Sequence, residues 1–285
     1  MSDRSDSTER PSILDNPHAD RVKRVAGLAG RSARSRSGLM LVEGPQAVRE
    51  LVVHRGGQVR DVYLTPRASA QHPDIVGAAE AVTRWVHEVT EEVARAMSSD
   101  AQGVLAVARE QAVADGAPRL GGGPVVVLAR AQDPGNAGTI IRTADAMGAS
   151  RVVLTPGSVD VRNPKVVRAS AGSVFHLPVA TGVELPALVD SLHEGGTVVM
   201  GTSGQDGSLD LTDLLDEVVL RGEGALTVPH AWVFGNEAQG LDPEEEDACD
   251  VLVRIPMSGP AESLNVSSAA AMCLFASQRG TRAGS

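Results

Sequence analysis

The sequence predicts an α/β protein: a parallel β-sheet covered by helices, preceded by a smaller α/β/α sandwich domain. Three observations carry that expectation. Short β-branched runs alternate with helix-length segments along most of the 285 residues. The run VVVLA at 125–129 is uniformly apolar, as suits a strand buried on both faces. Between the two sets of alternating segments lies QAVADGAPRLGGGP (111–124), which is small, Gly/Pro-rich and aperiodic.

The elements follow in order. Residues 1–12, rich in Ser, Asp and Arg, read as a disordered tail. The smaller domain, 13–110, opens with a helix from Asn16 to about Ala33 that sets Val22, Val25 and Leu28 on one face. Strands at 39–44, 59–65, 84–89 and 103–108 alternate with helices at 46–54, 74–81 and 91–97, and Gly56-Gly57 makes a turn. Residues 111–124 are the linker. The larger domain, 125–280, holds strands at 125–129, 151–155, 197–201, 231–235 and 251–256, with helices at 137–147, 164–170, 184–193, 208–215 and 265–279. Residues 281–285 are a short tail. Ligands of parallel sheets sit beyond the carboxyl ends of the strands, where the Gly-rich loops of this domain fall.

Composition narrows the function. Aromatics are 2% of the chain, so aliphatic side chains must fill the core, and a ladder of aromatics stacking nucleic-acid bases is not expected. Trp85, Trp232 and Tyr63 read as core residues. The formal charge of −10 excludes general nucleic-acid adhesion, yet residues 21–60 hold nine Lys/Arg against Glu43 and Glu50. A local basic face on an acidic protein suits a selective polyanion binder; a solvated basic helix gives the same pattern. Cys249 and Cys273 supply neither a disulfide framework nor a zinc site. The polar N-terminus and the lack of a long apolar run point to a soluble, cytoplasmic protein without a membrane partner. His18, His54, His72, His87, His176, His193 and His230 show no metal-ligand spacing.

Three loops need more than a structural explanation. DPGNAGTIIRTADAMGA (133–149) runs from a strand end into a helix: Pro134-Gly135 turns, Asn136 is placed to cap, and Ile140, Ile141 and Ala144 face inward. Arg142 has no part in that description; it suits a phosphate or a developing oxyanion, or else a surface ion pair. VFGNEAQGLD (233–242) places the Glu237 carboxylate and free amides at a strand end, though an acid there also suits a helix start. IPMSGPAESLNVSS (255–268) is a shaped loop leading into an Ala-rich helix, with Ser263 and Asn265 at its threshold; alone, either reads as a cap.

Taken together, in this order, the loops resemble the SpoU (TrmH) branch of the SPOUT methyltransferase superfamily. The matching residues are N-x-G-x-x-x-R-T-A (Asn136 to Ala144), F-G-N-E-x-x-G-L (Phe234 to Leu241) and I-P-M with S-L-N-V-S (Ile255 to Met257, Ser263 to Ser267). The resemblance implies a SPOUT-type parallel sheet whose C-terminal segment makes a trefoil knot, a homodimer through that knotted domain, and S-adenosylmethionine as cofactor with no metal. It implies that Thr202, Ser203, Gly204, Gly235, Ile255, Met257 and Leu264 bind the cofactor. It also implies that Asn136, Arg142, Glu237, Ser263 and Asn265 form the catalytic constellation acting on a ribose 2′-hydroxyl. A guanidinium is a poor base at neutral pH, so Arg142 is better suited to holding a phosphate and an emerging alkoxide, with Glu237 orienting it. LMLVEGPQAVRELV (39–52) resembles the entry motif of ribosomal-protein-like RNA-binding domains fused to such enzymes. With Arg21, Lys23, Arg24, Arg31, Arg34 and Arg36 as RNA contacts, it favours a structured RNA such as 23S rRNA.

A tRNA 2′-O-methyltransferase and a catalytically inactive RNA-binding member of the same fold remain open. A base methyltransferase of another SPOUT branch is a third reading. A dinucleotide oxidoreductase is not supported, because Gly201, Gly204 and Gly207 are spaced G-x-x-G-x-x-G rather than G-x-G-x-x-G.

Overall fold

A computed structural model describes residues 13–113, 123–205 and 207–283. The expected tail at 1–12 and most of the expected linker lie outside the described residues. The chain divides into two compact units, Met1–Ala112 and Val113–Ser285.

The first unit contains α1 (Asp20–Gly27), α2 (Arg31–Ser37), β1 (Leu39–Glu43), α3 (Pro45–Arg55), β2 (Val59–Leu64), α4 (Pro66–Gln71), α5 (Pro73–Val82), β3 (Val86–Glu88), α6 (Glu91–Met97) and β4 (Val104–Arg109). Its four-stranded sheet has the order β1-β4-β2-β3, antiparallel except for the β2–β3 pair. The alternation of side chains along each strand builds two cores. Leu41, Tyr63, Leu105 and Val107 meet Val22 and Val25 of α1, Leu28 just beyond it, and Val93 and Met97 of α6. Met40, Val42, Val62, Val104 and Ala106 are buried on the opposite face, beneath α3 and α5. This is the expected α/β/α sandwich.

The single helix expected over 16–33 is two helices. After Gly27 the chain turns tightly, with Leu28, Ala29 and Gly30 each donating to a carbonyl three residues back. The carbonyls of Leu28 and Ala29 are then taken by the Arg34 guanidinium at 3.0 and 2.7 Å. That capping also corrects the role expected of Arg34. It is 2% exposed and bonded to backbone, so it is a structural clamp rather than an RNA contact.

The second unit contains β5 (Gly123–Leu128), α7 (Pro134–Ala146), β6 (Ala149–Leu154), α8 (Pro164–Ala169), β7 (Val179–Thr181), α9 (Leu185–Glu194), β8 (Val198–Thr202), β9 (Leu209–Asp210), α10 (Leu211–Arg221), β10 (His230–Phe234), α11 (Pro243–Asp247), β11 (Val251–Arg254) and α12 (Val266–Ala283). Its seven strands are ordered β7-β6-β5-β10-β8-β11-β9, and every pair is parallel. From β5 the chain moves outward through β6 and β7, then crosses to β8 on the far side of β10. The carboxyl ends of β5 and β10 flank this switch in direction, where ligands of open α/β sheets bind.

One face of the sheet, with Val125, Val127, Val199, Ala231 and Val233, is covered by Leu185, Leu188 and Val189 of α9. Val126, Leu128, Trp232 and Phe234 are buried on the other face, against which α7 and α12 lie. Two expectations change here. Leu209 and Asp210 pair with β11 as an edge strand, so α10 starts at Leu211 rather than 208. The closing helix α12 runs on to Ala283, into the stretch expected to be a tail.

A buried polar triad ties α12 to the sheet. Ser277 Oγ accepts from Trp232 Nε1 at 2.8 Å and lies 2.7 Å from His230 Nε2, and His230 Nδ1 lies 2.7 Å from the Val228 carbonyl. Burial lowers the His230 pKa below its ordinary 6.5. The unfolded chain therefore binds a proton more readily, so stability falls as pH drops through the ordinary value toward the depressed one. In thermal melts from about pH 8 to about pH 5, the wild-type protein should show an acid-side loss that His230→Gln reduces.

Candidate active site

The site is assembled from the loops that leave β5, β8, β10 and β11. At the end of β5, Arg130 has a left-handed backbone (φ +52°), an uncommon conformation for a side-chain-bearing residue. Its guanidinium grips Glu245 through two bonds, 2.8 and 2.7 Å, and also reaches Gln239 Oε1 and the Gly240 carbonyl. Its own carbonyl accepts from Asn236 Nδ2 at 2.9 Å. The loop after β10 is therefore fastened to the end of β5 from two directions.

That loop is a tight turn. Asn236 and Gly240 exchange backbone bonds of 3.0 and 2.8 Å, and Asn236 Oδ1 accepts from the amides of Ala238 and Gln239. The turn projects Glu237 back toward α7. Each Glu237 carboxylate oxygen accepts a backbone N–H at 3.2 Å, one from Gln132 and one from Asp133. Glu237 thus orients backbone and has no bond to Arg142, which corrects the pairing expected from sequence.

Asp133 Oδ1 accepts from the Asn136 amide at 2.7 Å and is the N-cap of α7, with Pro134 at the first helical position. The capping role expected of Asn136 belongs to Asp133. Relieved of it, the Asn136 side chain accepts from Asn265 Nδ2 at 3.0 Å. Asn265 itself opens α12, its Oδ1 accepting from the Ser267 amide at 2.9 Å. Helix starts that are 129 residues apart in sequence are joined by this one amide pair.

Arg142 is exposed on α7, six residues beyond Asn136, and makes no hydrogen bond or ion pair among the described residues. Ser263 is exposed in the 256–264 loop. Within that loop no backbone or side-chain group is paired among the described residues, and the apolar side chains of Met257 and Leu264 are 43% and 37% exposed. Ile255, half-buried, follows β11 directly. Across from it, Thr202 Oγ1 donates to the Val233 carbonyl, Ser203 Oγ to Glu246, and Gly204 borders open space. A chain segment with free donors and acceptors beside exposed aliphatic side chains fits an adenosine-bearing cofactor, since it can read a base edge and cover its faces.

Gly235 has a different first task from the ligand contact expected of it. A Cβ there would lie 2.2 Å from the Gly240 carbonyl carbon and 2.3 Å from the Leu241 amide nitrogen. The turn closes only over a glycine. Neither cysteine offers a nucleophile: burial pushes the Cys249 and Cys273 thiols up to about 12. His176, half-buried, pairs with Asp145 at 3.3 Å, and Asp145 also accepts from Ser173 Oγ at 2.9 Å.

Sequence reasoning missed Arg130, Asp133 and Asn236. The Asp-Pro pair was the available signal for Asp133; nothing local marks Arg130, whose partners are more than 100 residues away.

In the first unit, Arg21, Arg24 and Arg36 line one cavity, whereas Lys23 and Arg31 are exposed on the helices that carry them. Trp85 is 45% exposed, unlike buried Tyr63 and Trp232, so it is not the core residue expected.

Residues 123–275, more than half of the chain, match the family described as "SpoU rRNA Methylase family". The chain belongs to that family. Residues 19–106 match the "MRM3-like substrate binding domain". Among relatives of SpoU type, the chain is similar to the 23S rRNA (guanosine-2'-O-)-methyltransferase RlmB of Bordetella pertussis, with 31% identity over 247 residues, covering 84% of this chain and 96% of that one. It is also similar to the 23S rRNA (guanosine(2553)-2'-O)-methyltransferase RlmP of Bacillus subtilis, with 40% identity over 151 residues, 53% of this chain and 56% of that one. Of solved structures, the AdoMet-bound rRNA methyltransferase from Sinorhizobium meliloti superposes with a TM-score of 0.74 at 27% identity, covering 94% of this chain and 97% of that one. The SpoU methyltransferase AviRb from Streptomyces viridochromogenes in complex with AdoMet gives 0.72 at 28% identity, covering 94% and 100%.

Gly235→Ala should destabilise the second unit by about 3 kcal/mol or more, whereas Gly204→Ala, facing open space, should stay within about 0.5 kcal/mol of wild type in urea unfolding.

Proposed function

We propose that this SpoU-family protein transfers a methyl group from S-adenosylmethionine to a ribose 2′-hydroxyl of ribosomal RNA, with 23S rRNA as the substrate most consistent with its relatives. The observation that carries the reading is the Asn136–Asn265 hydrogen bond, which brings the start of α7 to the unpaired 256–264 loop.

The residues divide the work as follows. Backbone groups of Ile255, Met257 and Leu264, with Thr202, Ser203, Gly204 and Gly235, hold the cofactor. When bound, S-adenosylmethionine supplies a methyl on a positively charged sulfur, a leaving group that needs no metal. Arg142, exposed and unpaired among the described residues, holds the phosphate next to the target ribose and stabilises negative charge building on the 2′ oxygen as its proton passes to solvent and the methyl leaves the sulfur, which departs as a neutral thioether. Asn136 and Asn265 set the distance between the two loops, Glu237 fixes the backbone of 132–133 that precedes α7, and Ser263 donates to the ribose. Much of the rate then comes from aligning oxygen, carbon and sulfur.

A trefoil knot threads the segment after β11, and a second copy docks on α12, whose Met272 and Phe275 are 46% and 54% exposed. No helix among the described residues is long and apolar enough to cross a membrane, which is consistent with work on ribosomal RNA in the cytoplasm.

Labelled S-adenosylmethionine and total rRNA test the proposal. Wild type should leave label on an alkali-resistant ribose linkage, and Arg142→Ala should lower kcat by about 100-fold or more without changing the melting temperature. A wild-type protein that binds rRNA but transfers nothing would favour the inactive binder. Label on tRNA alone, or on a base ring, would overturn the substrate or the acceptor atom.

A further inference from the structure

The first unit carries two adjoining depressions, of about 680 and 620 Å³, that share Ser37, Leu39, Arg60 and Trp85 as a common wall. Arg21, Arg24 and Arg36 line the first, and Arg109 lines the second. Against these five guanidiniums (Arg60 included) stands one carboxylate, Asp61, already engaged by His87 at 3.0 Å and Arg60 at 3.6 Å. Arg24 and Arg36 make no hydrogen bond or ion pair among the described residues. The groove is strongly positive on a chain whose formal charge is −10.

Rings are the second feature. In a chain with two tryptophans, Trp232 is buried and Trp85 is left exposed at the shared wall. Trp85 lies within 21° of parallel to His87, centroids 6.2 Å apart, and His87 lies within 25° of Tyr63 at 5.0 Å. The Arg84 guanidinium sits 4.6 Å from the Trp85 ring centroid. Exposed indole, parallel rings and unpaired guanidiniums are what an unstacked nucleotide needs: a face for its base and cations for the flanking phosphates.

We propose that this groove binds a single-stranded stretch of the RNA substrate, with one unpaired base packed on Trp85, phosphates on one side held by Arg24 and Arg36, and phosphates on the other by Arg60 and Arg109. The inference rests on the proposed RNA methyltransferase reading and adds what the first unit recognises: unpaired rather than duplex RNA.

Full-length protein, a labelled RNA hairpin with a wide loop, and a duplex of equal length test it by fluorescence anisotropy. Trp85→Ala should weaken hairpin binding about tenfold, Trp85→Phe should keep most of it, and duplex binding should be the same for all three proteins. Arg24→Ala/Arg36→Ala should weaken hairpin binding and flatten its dependence on salt. Loop binding should also quench the tryptophan emission of wild type. If wild type methylates RNA while Trp85→Ala and the double-arginine variant bind the hairpin normally, the groove is not the site and the enzyme reading stands. If an acidic peptide binds the groove and RNA does not, the proposal fails. If wild type neither binds nor methylates RNA, both readings fall.

Discussion

The Glu237 carboxylate accepts the amides of Gln132 and Asp133, and that contact fixes the loop after β10 against the loop after β5. Strands β5 and β10 are hydrogen-bonded neighbours, so their ends emerge side by side, but pairing alone leaves the following loops free. The acid removes that freedom by satisfying donors ahead of the first turn of α7. Arg130 does the same from the other side, holding Glu245 and Gly240 while its carbonyl takes Asn236. A left-handed Arg130 is strained; the surrounding bonds hold the strain in place. With the two loops fastened, Asn136 stands where Asn265 can reach it.

The two units use their few aromatic residues differently. In the second, Trp232 and Phe234 stack at 6.3 Å on one face of the sheet and fill volume beneath α7 and α12. Elsewhere aliphatic side chains do that work, as a composition with 2% aromatics requires. In the first unit the rings gather along the β2–β3 edge instead, and one indole remains exposed among arginines. Trp85 is 45% exposed there, and it is its place among the arginines, rather than exposure alone, that sets it apart from the 54% exposed Phe275 of the second unit.

Much of this architecture was legible in the sequence. Uniform β-branched runs mark the buried parallel strands, and the helix expected at 91–97 is α6 to the residue. The three loops of the candidate site could be found because their residue types stand in the order of the family's motifs. The rest depended on tertiary partners. Asp133 and Asn136 both qualify as caps by type, and only Pro134 at the first helical position decides between them. Counting charges placed Arg34 with the RNA-facing arginines, because a count cannot see that its guanidinium ends α1. Leu209 and Asp210 carry no strand signal of their own; β11 makes them a strand. Glu237 lies in the loop after β10, and its partners are the backbone amides of Gln132 and Asp133 rather than Arg142.

Distant loops are joined at the carboxyl edge of the sheet, and the Asn136–Asn265 bond is a direct side-chain contact between them. A double-mutant cycle of Asn136→Ala and Asn265→Ala, read by urea unfolding, isolates that contact from what each side chain does elsewhere. A coupling of about 0.5–1.5 kcal/mol is expected for such a bond. Strictly additive losses would mean that the two side chains do not meet, and the assembled site would have to be abandoned.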